Sequence, residues 1–219
     1  MNNRSILVIA GASGAGKTTV AKKLIDINSE FELCRSITTR APRGDAHDGE
    51  YIYTDREGFL KRAESGALIE YMEYGSNMYG TPISELERIF GEGKIPLLIL
   101  DLEGVKALRS KIFDFSSVIV YIWDDIDTIE KRLYDRDLAD NPTSEKLLSF
   151  LKRKELNIRD YLSMPEISHL FDCFVRNEAI DACAREIKAV FDTVSGGKHL
   201  SEEENASVAE KLSQMAKNK

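Results

Sequence analysis

Residues 11–18 read Gly-Ala-Ser-Gly-Ala-Gly-Lys-Thr, and they sit between two different periodicities. Before them, Ile6-Leu7-Val8-Ile9-Ala10 is an unbroken apolar run of strand length. After them, residues 19–28 carry Val20, Ala21, Leu24 and Ile25 at helical spacing. A strand apolar on both faces, a glycine-rich turn and a helix, in that order, predict an α/β fold with a parallel sheet covered on both sides. The turn itself fits G-x-x-x-x-G-K-[ST]. Glycines let backbone N–H groups approach an anion closely and point at its oxygens. The helix start adds the positive end of its dipole. Gly11, Ala12, Ser13, Gly14, Ala15, Gly16, Lys17, Thr18 and Thr19 are therefore candidates to cradle a nucleotide's phosphates. Lys17 would reach the β- and γ-phosphates and the Thr18 hydroxyl would sit on Mg²⁺. The competing reading is a Gly/Ala-rich loop with no ligand.

Composition bounds the partners. The 219 residues suffice for one α/β domain with inserted subdomains. A net charge of −7 argues against a nucleic-acid surface, which needs clustered Lys and Arg, but leaves room for a local basic pocket. Cys34, Cys173 and Cys183 are few and lack zinc spacing, so reduced buried thiols in a cytoplasmic protein are expected. No apolar stretch approaches a membrane span or a signal peptide.

Along the chain, residues 31–37 read as a second strand and 38–50 as a polar loop. Short strands are expected at 51–54, 67–74 and 78–81, with helices at 55–63 and 83–90. Buried strands at 95–100, 117–123 and 173–175 alternate with helices at 105–113, 126–136, 144–161 and 179–194. The segment from about 36 to 90 breaks the strand–helix rhythm and reads as an insertion at the carboxyl edge of the sheet, where ligands bind. The tail after Ser195-Gly196-Gly197 is polar; Leu200, Val208, Leu212 and Met215 allow a narrow helical stripe, but a solvated appendage is the expectation.

The insertion carries a second constellation. Arg40 and Arg43 stand three apart beside Ser36, Thr38 and Thr39, and two guanidiniums can fork onto one phosphate. Tyr51 and Tyr79 could each donate a phenolic O–H to the same anion. Glu70 lies in an apolar run, where a carboxylate wants a partner such as the N–H edge of a base. A solvated turn for the arginines and an exposed strand face for Glu70 are the bland alternatives.

With these residues in view, the chain resembles the guanylate kinases from residue 5 to about 194. The resemblance rests on Gly11 to Thr18, Ser36-x-Thr38-Thr39-Arg40-x-Pro42-Arg43, Gly49-x-Tyr51-x-Tyr53, Ile69-Glu70-Tyr71 and Tyr79-Gly80-Thr81. It continues with Asp101-x-Glu103-Gly104, Arg132-Leu133-x-x-Arg136 and Phe171-Asp172-x-x-Val175-x-Asn177. It implies a phosphate-loop parallel sheet with helices on both faces, an inserted GMP-binding subdomain and a helical lid. In those terms the kinase-like domain is 1–195: core 1–35, 92–130 and 162–195, insertion 36–91, lid 131–161. Residues 196–219 are the polar appendage.

The implied activity is ATP-dependent phosphorylation of GMP. Ser36, Arg40, Arg43, Tyr51 and Tyr79 would hold the GMP phosphate or its surroundings, and Glu70, Thr81 and Asp101 would read guanine. Lys17, Arg40, Arg132 and Arg136 form the implied catalytic set, with Lys17, Arg132 and Arg136 spreading positive charge over the phosphoryl group in flight. The loop residues 11–19 would hold ATP, Thr18 would be the metal ligand, and Asn177 would lie near the ATP base. By strand position alone, Asp101 reads instead as a metal acid at the end of a strand.

The chain departs from the family pattern in four places. Ile99 stands where an acid is usual, and Glu103 where Gln is usual. The loop from Arg43 to Tyr51 is one residue short, and the lid from 136 to 153 differs most. Either Arg153 or Arg159 is the later arginine of the site. A related kinase with another acceptor, or a kinase-like protein-binding module, are the competing functions. His47, His169 and His199 form no triad or metal set. Asp124-Asp125 reads as a helix cap and Trp123 as core.

Overall fold

A computed structural model describes residues 4–42, 49, 51–74, 76–139 and 142–219. Its central sheet takes β1 (Ser5–Gly11), β2 (Phe31–Leu33), β7 (Ile95–Ile99), β8 (Ser116–Trp123) and β9 (Cys173–Arg176). They lie in the order β2-β7-β1-β8-β9, every pair parallel. β1 is central, and Ile6 to Ala10 are fully buried. That follows from its unbroken apolar run, since a parallel strand is covered on both faces. α1 (Lys17–Ile27) and α7 (Ile180–Ser195) pack together on one side. α1 buries Val20, Ala21 and Leu24, and α7 buries Cys183, Ala184, Ile187, Val190 and Phe191, each set one helical face. α4 (Leu102–Arg109), α6 (Ser144–Ile167) and α8 (Glu202–Lys217) supply the other layer. β1 pairs β7 on one side and β8 on the other, so the turn after β1 opens at the point where the strand order reverses.

The insertion builds a second sheet from β3 (Ser36–Thr38), β4 (Tyr51–Tyr53), β5 (Leu68–Tyr74) and β6 (Asn77–Pro82), in the order β4-β3-β6-β5. Its register sorts the side chains by period two. Ile37 pairs with Ile52 and Gly80, and that face joins Leu68 and Met78 against Phe59 of α2 (Arg56–Glu64). The opposite face carries Ser36 beside Tyr51, and Thr38 beside Tyr53 and Tyr79. α3 (Ile83–Gly91) returns the chain to the core by burying Leu86 and Ile89 in the main cluster.

Five sequence expectations are corrected here. The strand expected over 31–37 is two strands in two sheets. Cys34 N–H still bonds the Leu97 carbonyl, and from Ser36 the chain pairs with β4 and β6 instead. Propensity cannot tell which partner a strand will find. The helix expected from 105 starts at Leu102, because the Asp101 carboxylate accepts the Gly104 N–H and caps it. The helix expected to end at 161 runs to Ile167 through Pro165, with Met164 fully buried against the core. The pair Asp124-Asp125 does not cap by side chain: Asp125 sits at the N-cap of α5 (Ile126–Asp137), but its carboxylate pairs with Arg176. The tail is no solvated appendage. α8 buries Ala209, Leu212 and Ala216 against the core cluster and packs along α6.

Cys34, Cys173 and Cys183 are free thiols, and burial pushes Cys173 up to about 11 and Cys183 up to about 12. Trp123 is buried, as expected of a strand-end core residue. Among the described residues no helix is long and apolar enough to cross a membrane.

Candidate active site

The phosphate loop leaves β1 at Gly11 and enters α1 at Lys17. Gly16 takes φ 92°, and a Cβ there would lie 2.5 Å from Asn177 Nδ2. Gly14, at φ 90°, would meet Leu133 Cγ at 2.8 Å, so neither position admits a side chain without displacement. α1 has no side-chain cap. Among the described α-helices it alone has no acid in its first turn. Its opening N–H groups are therefore left for an anion, with no fixed negative charge competing.

Lys17 Nζ donates to the Gly11 carbonyl at 2.7 Å and to the Ala12 carbonyl at 3.0 Å. Burial pulls its ammonium down to about 8, against the opposing charges of Asp101 and Asp160. The charges of Arg136 and Arg153 also reach it and lower it further.

Two buried asparagines hold the loop from outside. Asn157 of α6 accepts the Ser13 N–H at 2.9 Å and donates to the Ser13 carbonyl at 2.8 Å. Asn177, just past β9, donates to the Ala15 carbonyl at 2.8 Å.

The arginines enter from α5 and α6. Arg132 Nη2 donates to the buried Asp124 carboxylate at 2.8 Å and to the Asn177 carbonyl at 3.3 Å. Its Nη1 is buried with no hydrogen-bond partner among the described residues. Arg136 and Arg153 both donate to Asp137, Arg136 from Nε at 2.8 Å and Arg153 from Nη1 at 3.0 Å. Arg153, half-buried beside Arg136, has its charge felt at Lys17, whereas Arg159 is exposed.

Across the cleft the insertion presents its polar face. The Arg40 guanidinium lies over the Tyr51 ring at 4.9 Å and donates to Tyr53 Oη at 3.5 Å. Tyr51 and Tyr79 meet edge to face at 6.3 Å. The turn into Arg40 is fixed by its N–H donating to the hydroxyl of fully buried Thr38. On the same face the Thr81 hydroxyl donates to Glu70 Oε1 at 2.7 Å, with both residues buried. Burial raises the Glu70 pKa, the charge of Asp101 adds to that, and the Thr81 bond opposes it. Asp101 is exposed, and its charge is felt by both Glu70 and Lys17. Arg43 and His47 lie outside the described residues.

The chain is similar to known proteins over most of its length. The family model for guanylate kinase matches residues 3–194. The chain belongs to the guanylate kinase family. It is 29% identical over 189 residues to the guanylate kinase of Clostridioides difficile strain 630, covering 86% of this chain and 87% of that one. It is 30% identical over 187 residues to the guanylate kinase of Prochlorococcus marinus subsp. pastoris, covering 85% of this chain and 96% of that one. The crystal structure of guanylate kinase from Anaplasma phagocytophilum superposes with a TM-score of 0.59 at 25% identity, covering 92% of this chain and 89% of that one.

Against the guanylate kinase pattern, Ile99 is half-buried and packs against the core cluster. Glu103 is exposed in the first turn of α4 and pairs with Lys106 at 2.8 Å. Sequence reasoning missed Tyr53, Asp124, Asp137 and Asn157 as parts of the site. Tyr53 had a signal, because it shares strand parity with Tyr51. The other three act through partners distant in sequence, and only the fold brings those partners to them.

Proposed function

We infer that this chain transfers the γ-phosphoryl group of ATP to GMP, giving ADP and GDP. The observation that carries the acceptor is the buried Glu70 carboxylate, fixed by Thr81 and facing the same cleft as Asp101. Guanine presents N1–H and an exocyclic amine as a donor pair, and two carboxylates are pure acceptors. Adenine offers no such pair and would leave the buried Glu70 carboxylate unsatisfied, a penalty of about 1–3 kcal/mol. Ser36, Arg40, Arg43, Tyr51 and Tyr79 would hold the GMP phosphate, and Glu70, Thr81 and Asp101 would read the base.

The reaction asks the protein mainly for alignment and charge. An oxygen of the GMP phosphate attacks the γ-phosphorus, and the bond to the β–γ bridging oxygen breaks with its electron pair leaving on ADP. Residues 11–19 would align the donor. Lys17, Arg40, Arg132 and Arg136 would offset the charge spread over the transferring group. The Arg132 Nη1, buried without a protein partner among the described residues, suits that role. Thr18, exposed at the start of α1, would hold Mg²⁺ together with ATP oxygens and waters. The described residues place no three His, Cys, Asp or Glu side chains to hold a metal by themselves, which fits an ion that takes most of its ligands from phosphate and water. Bound there, Mg²⁺ would neutralise part of the β- and γ-phosphate charge.

In this reading 1–35, 92–130 and 162–195 form the ATP-side core, 36–91 the GMP side and 131–161 the lid, in a cytoplasmic enzyme. A coupled ADP-release assay with GMP, AMP, CMP and UMP tests it. Turnover with GMP at least a hundredfold above the others is expected. Preference for another acceptor, or no turnover with any, would overturn it.

A further inference from the structure

α6 presents Arg153, Asn157 and Tyr161 at steps of four residues, which is one face of a helix. Each reaches a different part of the site. Arg153 donates to Asp137 at the end of α5, beside Arg136. The Tyr161 hydroxyl donates at 3.1 Å to the backbone carbonyl of Asp124, whose carboxylate holds Arg132. Asn157, between them, is the one that touches the phosphate loop, and it lies outside every sequence motif that pointed to the site.

Its geometry is selective. One carboxamide accepts from the Ser13 N–H and donates to the Ser13 carbonyl, 2.9 and 2.8 Å away, while only 2% exposed. Only a side chain with an acceptor and a donor on one carbon satisfies both groups at once. The loop needs such help. It contains three glycines and two alanines, so few side chains can pin it, and ordering such backbone carries an entropy cost at every residue. Inside the loop, the Ala15 N–H bonds the Ala12 carbonyl at 3.1 Å and closes the turn around Ser13. Asn177 fixes its far side through the Ala15 carbonyl.

We propose that Asn157 is a positioning residue for ATP: it fixes the shoulder of the phosphate loop at Ser13, so that the N–H groups that follow converge on the phosphates. The proposal rests on the reading of residues 11–19 as the ATP cradle. It also makes the lid helix part of the donor site, because one rigid helix carries both Asn157 and Arg153. Asn157 touches no reacting atom in this scheme. Its effect is on donor binding, with GMP binding left alone.

The test uses Asn157→Ala and Asn157→Asp in the full chain. Initial rates are measured with ATP varied at saturating GMP, and the reverse. Thermal melts are recorded without ligand, with ATP and with GMP. Asn157→Ala should raise the KM for ATP about tenfold and leave the KM for GMP within twofold. Asn157→Asp keeps the acceptor for Ser13 N–H, loses the donor and adds a charge near the triphosphate, so its KM for ATP should rise at least as far. Should the alanine variant not fold, the near-isosteric aspartate variant carries the test alone. In the melts, the shift induced by ATP should shrink in both variants while that induced by GMP persists. A KM for ATP unchanged in the variants, or equal rises for both nucleotides, would overturn the positioning role. Wild-type protein that ATP fails to stabilise would instead overturn the reading of the cradle on which the proposal rests.

Discussion

Lys17 is held where burial disfavours its charge. Burial brings its ammonium from an ordinary value of 10.5 down to about 8, while a bound triphosphate would restore the proton. ATP binding at pH 8.5 should therefore take up protons in the wild type and not in Lys17→Met, as read by calorimetry in two buffers of different ionisation enthalpy. The same shift sets a sign for stability. Below about pH 8 Lys17 is charged in the folded and unfolded chains alike, and burial counts fully against folding. Between about 8 and 10.5 the folded chain releases the proton first, so the penalty fades as pH rises. Glu70 gives the matching test on the acceptor side. Glu70→Gln keeps the size but turns one acceptor into a donor facing guanine, and should weaken GMP binding by about 1–3 kcal/mol with ATP binding unchanged. Equal loss for both nucleotides in titration would point to misfolding and not to base reading. Lys17 and Glu70 were both legible before the fold was known, one as part of a contiguous motif and the other as a lone charge in an apolar strand. Asn157 carries no such local mark.

At the scale of elements, the junction between the two sheets is held by charge. Glu85 of α3 is almost fully buried and accepts from Arg35 Nε at 2.8 Å and from Arg88 Nη2 at 2.9 Å. Arg88 and Lys94 in turn hold Glu32 of β2, each at 2.6 Å. Arg35 lies between β2 and β3, where the chain passes from one sheet to the other, so this network straddles the link from core to insertion. Burial would raise the Glu85 carboxyl, but the hydrogen bonds from Arg35 and Arg88 outweigh it and bring it down to about 2. A carboxylate lowered from 4.5 stabilises the fold above that pH, and its contribution fades as pH falls toward 2. In urea unfolding between pH 5 and 3, the wild type should lose stability more steeply than Glu85→Gln. Parallel slopes would show that the network contributes little. The sheet switch at Cys34 and Arg35 is what gathers Arg35, Glu85 and Arg88, two of them about 50 residues along the chain from the first.

For the molecule as a whole, the two halves of the cleft belong to separate sheets joined through that network and through Lys111. Lys111 donates to the Leu68 and Ile69 carbonyls at 3.2 and 2.5 Å, next to Glu70. With both nucleotides bound, the insertion and the lid are expected to close and exclude water. Small-angle scattering should show compaction with GMP plus an inert ATP analogue; an unchanged radius with both ligands bound would reject closure. α8 lies beyond the residues the family model matches, yet it is packed as core. Leu212 is fully buried, so Leu212→Ala should cost about 2–5 kcal/mol in urea unfolding. A solvated appendage would show less than about 0.5 kcal/mol.

The amino-acid sequence alone determined the phosphate loop, the parallel α/β core and the family. Each of these is written in neighbouring residues: a backbone cradle needs its glycines in a row, and buried strands and helices announce themselves by local period. The tertiary structure decided what depends on partners far along the chain. It sent Ser36–Thr38 into a second sheet, set Arg153 beside Arg136 on Asp137 and docked α8 on α6. It also brought Asn157 to Ser13 across 144 residues. A hydrogen bond or a strand pairing is chosen by competition among every partner the folded chain makes available, and a local pattern carries no record of that competition.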